Sequence, residues 1–184
     1  MATNRTTLTD TPENLRFYQR RVALFGKVLT IVWLVGNGAT TAIYLAMGYW
    51  RELFTVSNAL SWLALFICYA VWFLCRRGLR SRRFVMWVES ASLFGSSVAV
   101  ALMGRNIAPQ AFEMMTEFQG VDPTTLEPGA LALLAGLQLE QVLTALMLGL
   151  SFGYILRAAL VPSTVWRTTW ITLLASVPLL ALYV

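Results

Sequence analysis

Five long apolar stretches decide what this chain of 184 residues can become. They run at about 23–49, 55–75, 84–104, 130–156 and 168–184. Each of the first four is long enough to cross a hydrocarbon core of ~30 Å as a helix. Helix is the expected state, because backbone N–H and C=O groups in lipid must find their partners inside the segment. The alternating pattern of a barrel strand is missing. The expected fold is all-α: a multi-pass transmembrane helical bundle of about five spans. Composition agrees, with 58% of residues hydrophobic, 12% charged and a mean hydropathy of +0.65. A soluble domain carries about twice that share of charge.

The placement of charge then orients the bundle. The stretch LCRRGLRSRRF at 74–84 carries Arg76, Arg77, Arg80, Arg82 and Arg83 between two apolar runs. On the same side lie Arg5, Arg16, Arg20, Arg21, Arg157 and Arg167, with Lys27 at the edge. The opposite loops hold only Arg51 and Arg105, beside Glu52, Glu113, Glu117, Asp122 and Glu127. Twelve basic residues against two is a positive-inside signal. It predicts a cytoplasmic N-terminal segment over 1–22, a transmembrane domain over 23–184 and outer loops at 50–54 and 105–128. A polar start followed by so long an apolar run is no cleavable signal peptide. A loop this short, held against a bilayer, suits contact with anionic inner-leaflet lipid rather than nucleic acid.

Ionisable groups inside a membrane are costly, and each raises a functional hypothesis. Lys27 and Glu89 lie at similar depth from the inner face, ~7 and ~9 Å, which predicts a contact between the first and third spans. Glu140, in LQLEQV, lies about one turn inside the outer face, with Arg51 and Arg105 as candidate partners. Asn37, between Gly36 and Gly38, falls near the midplane and should hydrogen-bond another helix. The chain has no histidine, the commonest metal ligand and general base. Cys68 and Cys75 are ~10 Å apart along one helix and read as unpaired packing residues. No catalytic, cofactor-binding or metal-ligating set emerges, and any ligand stays unnamed.

Small residues mark where helices can approach closely. Gly95 and Ala99 provide them in the third span, and Ala145, Gly149 and Gly153 in the fourth. The partner could be a helix of the same chain or a second copy in a homo-oligomer. In the outer loop, Ala108–Phe118 reads as a short amphipathic helix that lays Phe112, Met115 and Phe118 on the interface.

Three stretches resemble the membrane module that precedes the catalytic domain in some bacterial eukaryotic-like serine/threonine protein kinases. They are YQRRVALFGKVL at 18–29, LCRRG at 74–78 and ILRAALVPSTVWRTTWITLLASVPLLAL at 155–182. The resemblance implies a membrane anchor and signal-input module in the bacterial cytoplasmic membrane. The Gly-rich loop, strand lysine, HRD and DFG motifs of a kinase domain are not in this sequence. With five spans the apolar end SVPLLALYV would emerge outside, so the reading expects a sixth helix beyond Val184. The alternative is a small transporter or channel subunit, which needs a polar path through the midplane. A lipid-modifying enzyme has no candidate site.

Overall fold

The structure is a computed structural model. It describes the backbone over residues 11–119, 128–161 and 165–181, and most side chains there, those at 107–119 excepted. Five α-helices and one short 3-10 turn are present among these residues, and no strand. In chain order they are α1 (Pro12–Ala46), the turn Trp50–Phe54, α2 (Val56–Arg76), α3 (Arg82–Gln119), α4 (Pro128–Leu160) and α5 (Val165–Leu180). Among the described residues, three stretches are long and apolar enough to cross a membrane: Pro12–Ala46, Val56–Arg76 and Arg82–Asn106. Within α4, the described stretch Met147–Leu160 is also apolar but shorter. The protein is thus a helical membrane protein. The expected fifth span is short in α5, whose 16 residues reach only ~24 Å.

Two helices extend past their expected ends. The polar segment expected over 1–22 is helical from Pro12 onward, continuous with the first span. Thr11 caps that helix by accepting from the Asn14 amide, Pro12 takes the first helical position and Glu13 faces the positive end of the helix dipole. Likewise α3 does not end at 104, and its backbone stays helical to Gln119, so 105–119 is not loop. That segment holds the helix formers Ala, Gln, Glu and Met and no glycine, and the backbone stays helical past Pro109, which opposes it. At ~57 Å, α3 overshoots a hydrocarbon core by nearly half its length. The side chains of Phe112, Met115 and Phe118 lie outside the described residues, as do residues 1–10 and 162–164.

Helices α1, α2 and α3 form the packed unit, with α4 against α3 and α1, and α5 against α3. Their inward faces follow the helical repeat. Val22, Ala23, Phe25 and Gly26 of α1 and Ala64, Leu65, Cys68, Val71 and Cys75 of α2 are buried, and Gly26 lies against Val71 and Trp72. Val85, Leu93 and Val100 line the buried face of α3. One continuous core joins Val22, Phe25, Val71, Cys75, Val85, Leu93, Val161 and Ala175. It sits at the end of the bundle where α1 begins and the arginine-rich loop turns, here the basic end. Cys68 and Cys75 are buried and unpaired. Along the far half of α1, Ile31, Val32, Leu34, Val35, Ile43 and Leu45 all face outward, as lipid contact requires.

The arginine loop is held by one side chain. Gln19 of α1 is buried and donates through Nε2 to the carbonyls of Cys75 (3.0 Å) and Gly78 (2.7 Å). Its Oε1 accepts from the Arg80 amide at 3.0 Å. The turn also needs Gly78 at φ +72°, a conformation a side chain would strain. Ser81 then caps α3 by accepting from the Phe84 amide. Q19A removes three hydrogen bonds and leaves a buried backbone carbonyl bare, at a cost of about 1–3 kcal/mol. Tryptic cleavage within 76–83 should then speed up by roughly tenfold or more, since 1.4 kcal/mol is a factor of ten. An unchanged cleavage rate would mean that Gln19 does not secure the loop.

Candidate functional site

The buried face of α3 carries one charge. Glu89 lies on the same helical stripe as Val85, Ser92 and Leu93, so the repeat that builds the core turns its carboxylate inward. It is 0% exposed. Three other helices supply its partners. From α4, Arg157 donates through Nε to Oε1 at 2.7 Å. From α5, Arg167 donates through Nη2 to Oε2 at 2.5 Å. From α1, the Tyr18 hydroxyl donates to the same Oε2 at 2.5 Å. The Arg167 guanidinium also lies over the Tyr18 ring, 5.4 Å from its centroid. Arg157 further donates to Thr168 Oγ1 at 3.3 Å, linking α4 to α5.

One carboxylate faces two guanidiniums. Arg157 is 1% exposed, and its Nη2 finds no hydrogen-bond partner among the described residues. Such a cluster is held only by its own geometry: removing one partner leaves the others charged in a medium that cannot solvate them. Both carboxylate oxygens are engaged, so Glu89 has no free face to offer as a general base. The arrangement ties helices together.

The sequence-based residues fall in several places. Lys27 does not meet Glu89. It is exposed on the outward stripe of Leu24 and Ile31, while Tyr18, Val22 and Phe25 share the inward one. Matching depth fixed the level of Glu89 on α1 but not the side of the helix. Glu140 is exposed on α4, as are Arg51 and Arg105, and no ion pair joins them among the described residues. Arg51 instead stacks on Trp50. Asn37 is buried and its Oδ1 accepts from Ser61 of α2, a contact between helices.

The five loop arginines are all exposed at the basic end. Arg76 lies over the rings of Trp72 and Phe73, and Arg80 over Phe84. Among the small residues, Ala99 is buried, and a Cβ on Gly95 would meet only the tip of Ile67 at 3.4 Å. Gly149 and Gly153 seat no helix of this chain among the described residues: a Cβ on either would have no atom within 4 Å. The side chain of Ala145 lies outside the described residues. The close approach comes instead at Gly26, where a Cβ would stand 2.8 Å from the Trp72 backbone nitrogen.

Tyr18, Arg157 and Arg167 are therefore the functional residues that sequence reasoning misses. Arg157 and Arg167 read as two more inside charges, and Tyr18 as part of a polar leader. The available signal was chemical: a buried carboxylate is matched by arginine more readily than by lysine, because the guanidinium fork suits it and is less strongly hydrated. No protein-family model, curated protein or solved structure matches this chain.

Proposed function

We propose that this chain is a membrane anchor and signal-input module, with its basic end in the cytoplasm. The observation that supports this best is the Glu89 cluster, which gathers α1, α3, α4 and α5 at one point of the basic end. The positive-inside excess supports the orientation. On this reading about five helices enter the bilayer, and a stimulus acts by favouring one of two packings of them. Glu89 links those helices, so a change at any one is felt at the others. An output domain of the kinase type rests on the three resembling stretches alone.

Coupling through Glu89 has a direct test. Spin labels go on exposed positions of α1 and α5, Arg16→Cys and Trp170→Cys, with Cys68 and Cys75 replaced by serine. In bilayers the parent should give one narrow distance distribution. E89Q should give a second, longer population. An unchanged distribution in E89Q would end the coupling proposal. Ion or solute flux through the same proteoliposomes, abolished by E89Q, would move the reading to a transporter.

A further inference from the structure

Two cavities lie against each other inside the bundle, one far from Glu89 and one that reaches Ser92 and Leu93, a turn along α3 from it. Asn37 stands ~28 Å along α1 from Tyr18. The first cavity, about 250 Å3, lies between α1 and α2 and is lined by Asn37, Thr40, Tyr44, Ser57, Asn58 and Ser61 among others. Its described lining is rich in hydroxyls and amides and includes no charged side chain. The second, about 320 Å3, lies deeper among α1, α2, α3 and α4, with Leu29, Val32, Val71, Leu93, Val100 and Phe152 in its wall. That wall is almost entirely apolar. Trp33 and Gly36 line both cavities, so the two share a boundary on α1.

The polar cavity holds unmet hydrogen-bonding capacity. Asn37 is 5% exposed and Ser57 4%. Ser61 satisfies the amide oxygen of Asn37, but its Nδ2 has no partner among the described residues, and neither has Ser57 Oγ. Buried donors of this kind are ordinarily paired, so two in one cavity point to a missing partner. The amide N–H groups require an acceptor oxygen, and the uncharged lining disfavours a charged one.

The apolar cavity has a side entrance. Val32 and Gly36 of α1 and Gly149 and Phe152 of α4 line it and are also exposed. Glycines 36, 149 and 153 leave open space where any other residue would put carbon. The glycine series of α4 thus borders a slot rather than a helix contact. The slot opens on the apolar flank of the bundle, the side a bilayer would cover.

We infer that this double cavity binds a single-chain amphiphile with an uncharged, oxygen-bearing head. A hydroxyl or carbonyl would meet Asn37 Nδ2 and Ser57 Oγ, and the chain would pass Gly36 and Trp33 into the apolar chamber and out between α1 and α4. The chamber volume lies in the ~300–1,000 Å3 range of small-molecule sites. Nothing in this inference depends on coupling through Glu89.

The test uses the full chain in nanodiscs and a diazirine-bearing 1-dodecanol as probe, with crosslinks mapped by peptide mass spectrometry. Saturable labelling is expected on α1 around Trp33 and on α4 around Gly149. Unlabelled 1-dodecanol should compete and dodecane should not. G149L, whose added carbons enter open space, should keep its melting temperature yet lose labelling at least tenfold. N37L should lose the preference for alcohol over alkane. Labelling spread without saturation over all apolar helices would overturn the inference. So would equal competition by dodecane, which would mean that only water occupies the polar cavity, or full labelling of G149L.

Discussion

E89A will destabilise this protein more than any other single substitution to alanine in the bundle. It takes from Arg157, which is fully buried, the carboxylate that its Nε meets, and from Arg167 its contact with the same group. Breaking a buried ion pair from one side costs about 3–5 kcal/mol. Stabilities of whole domains are about 5–15 kcal/mol, so the loss would be visible as a large drop in melting temperature in detergent and in folded yield. R157M should cost somewhat less, since Arg167 and Tyr18 still satisfy the carboxylate. The combination E89L, R157M and R167M replaces every charge with apolar volume, and it should be more stable than E89A despite carrying three changes. If E89A stays within 0.5 kcal/mol of the parent, as an ordinary surface substitution would, the cluster does not hold the helices.

The second large effect is expected at Gly26. An added Cβ would lie 2.8 Å from the backbone nitrogen of Trp72 and 3.0 Å from Val71 Cγ1. The atom met is backbone in the middle of α2, so it cannot swing away as a side-chain end would. Alanine gains about 1 kcal/mol in helix propensity, but forcing apart a packed contact costs about 1–3 kcal/mol. G26A should therefore be mildly destabilising, and G26L, with three further carbons, should cost more than about 3 kcal/mol by the same overpacking. Gly38 supplies the control. It lies on the same helix with nothing within 4 Å of its would-be Cβ, so G38A should be neutral or stabilising. Thermal unfolding of the three variants reads the sign directly. A stabilised G26A would show that α1 and α2 are not in contact there.

Hydropathy reaches as far as the helices and no further. Apolar runs of twenty or more residues leave the backbone little choice in lipid, so the α-helical state of 23–46, 56–75 and 84–104 was legible. Ends were less so, because a hydropathy reading stops where polarity begins while the helix does not. At the start of α1 the signal was present in Thr11, Pro12 and Glu13, a cap, a proline at the first position and an acid in the first turn. At 105–119 the amphipathic pattern marked a helix over Ala108–Phe118, but not its continuity with the third span.

The chain's own order of residues thus determined that this is a helical membrane protein, where its charges cluster and that Glu89 and Asn37 are costly enough to need partners. Which partners they take was decided by the fold. Distance along a helix follows from residue number at a fixed rise, but contact also depends on rotation about the axis and on which helix lies beside it. Lys27 matched Glu89 in depth and faced the wrong way, while Arg157 and Arg167 arrived from elements 68 and 78 residues further on. The same holds for close approach. Glycine at four-residue spacing marks a groove, but only the neighbouring helix determines whether the groove is filled, as at Gly26, or left open, as at Gly149 and Gly153.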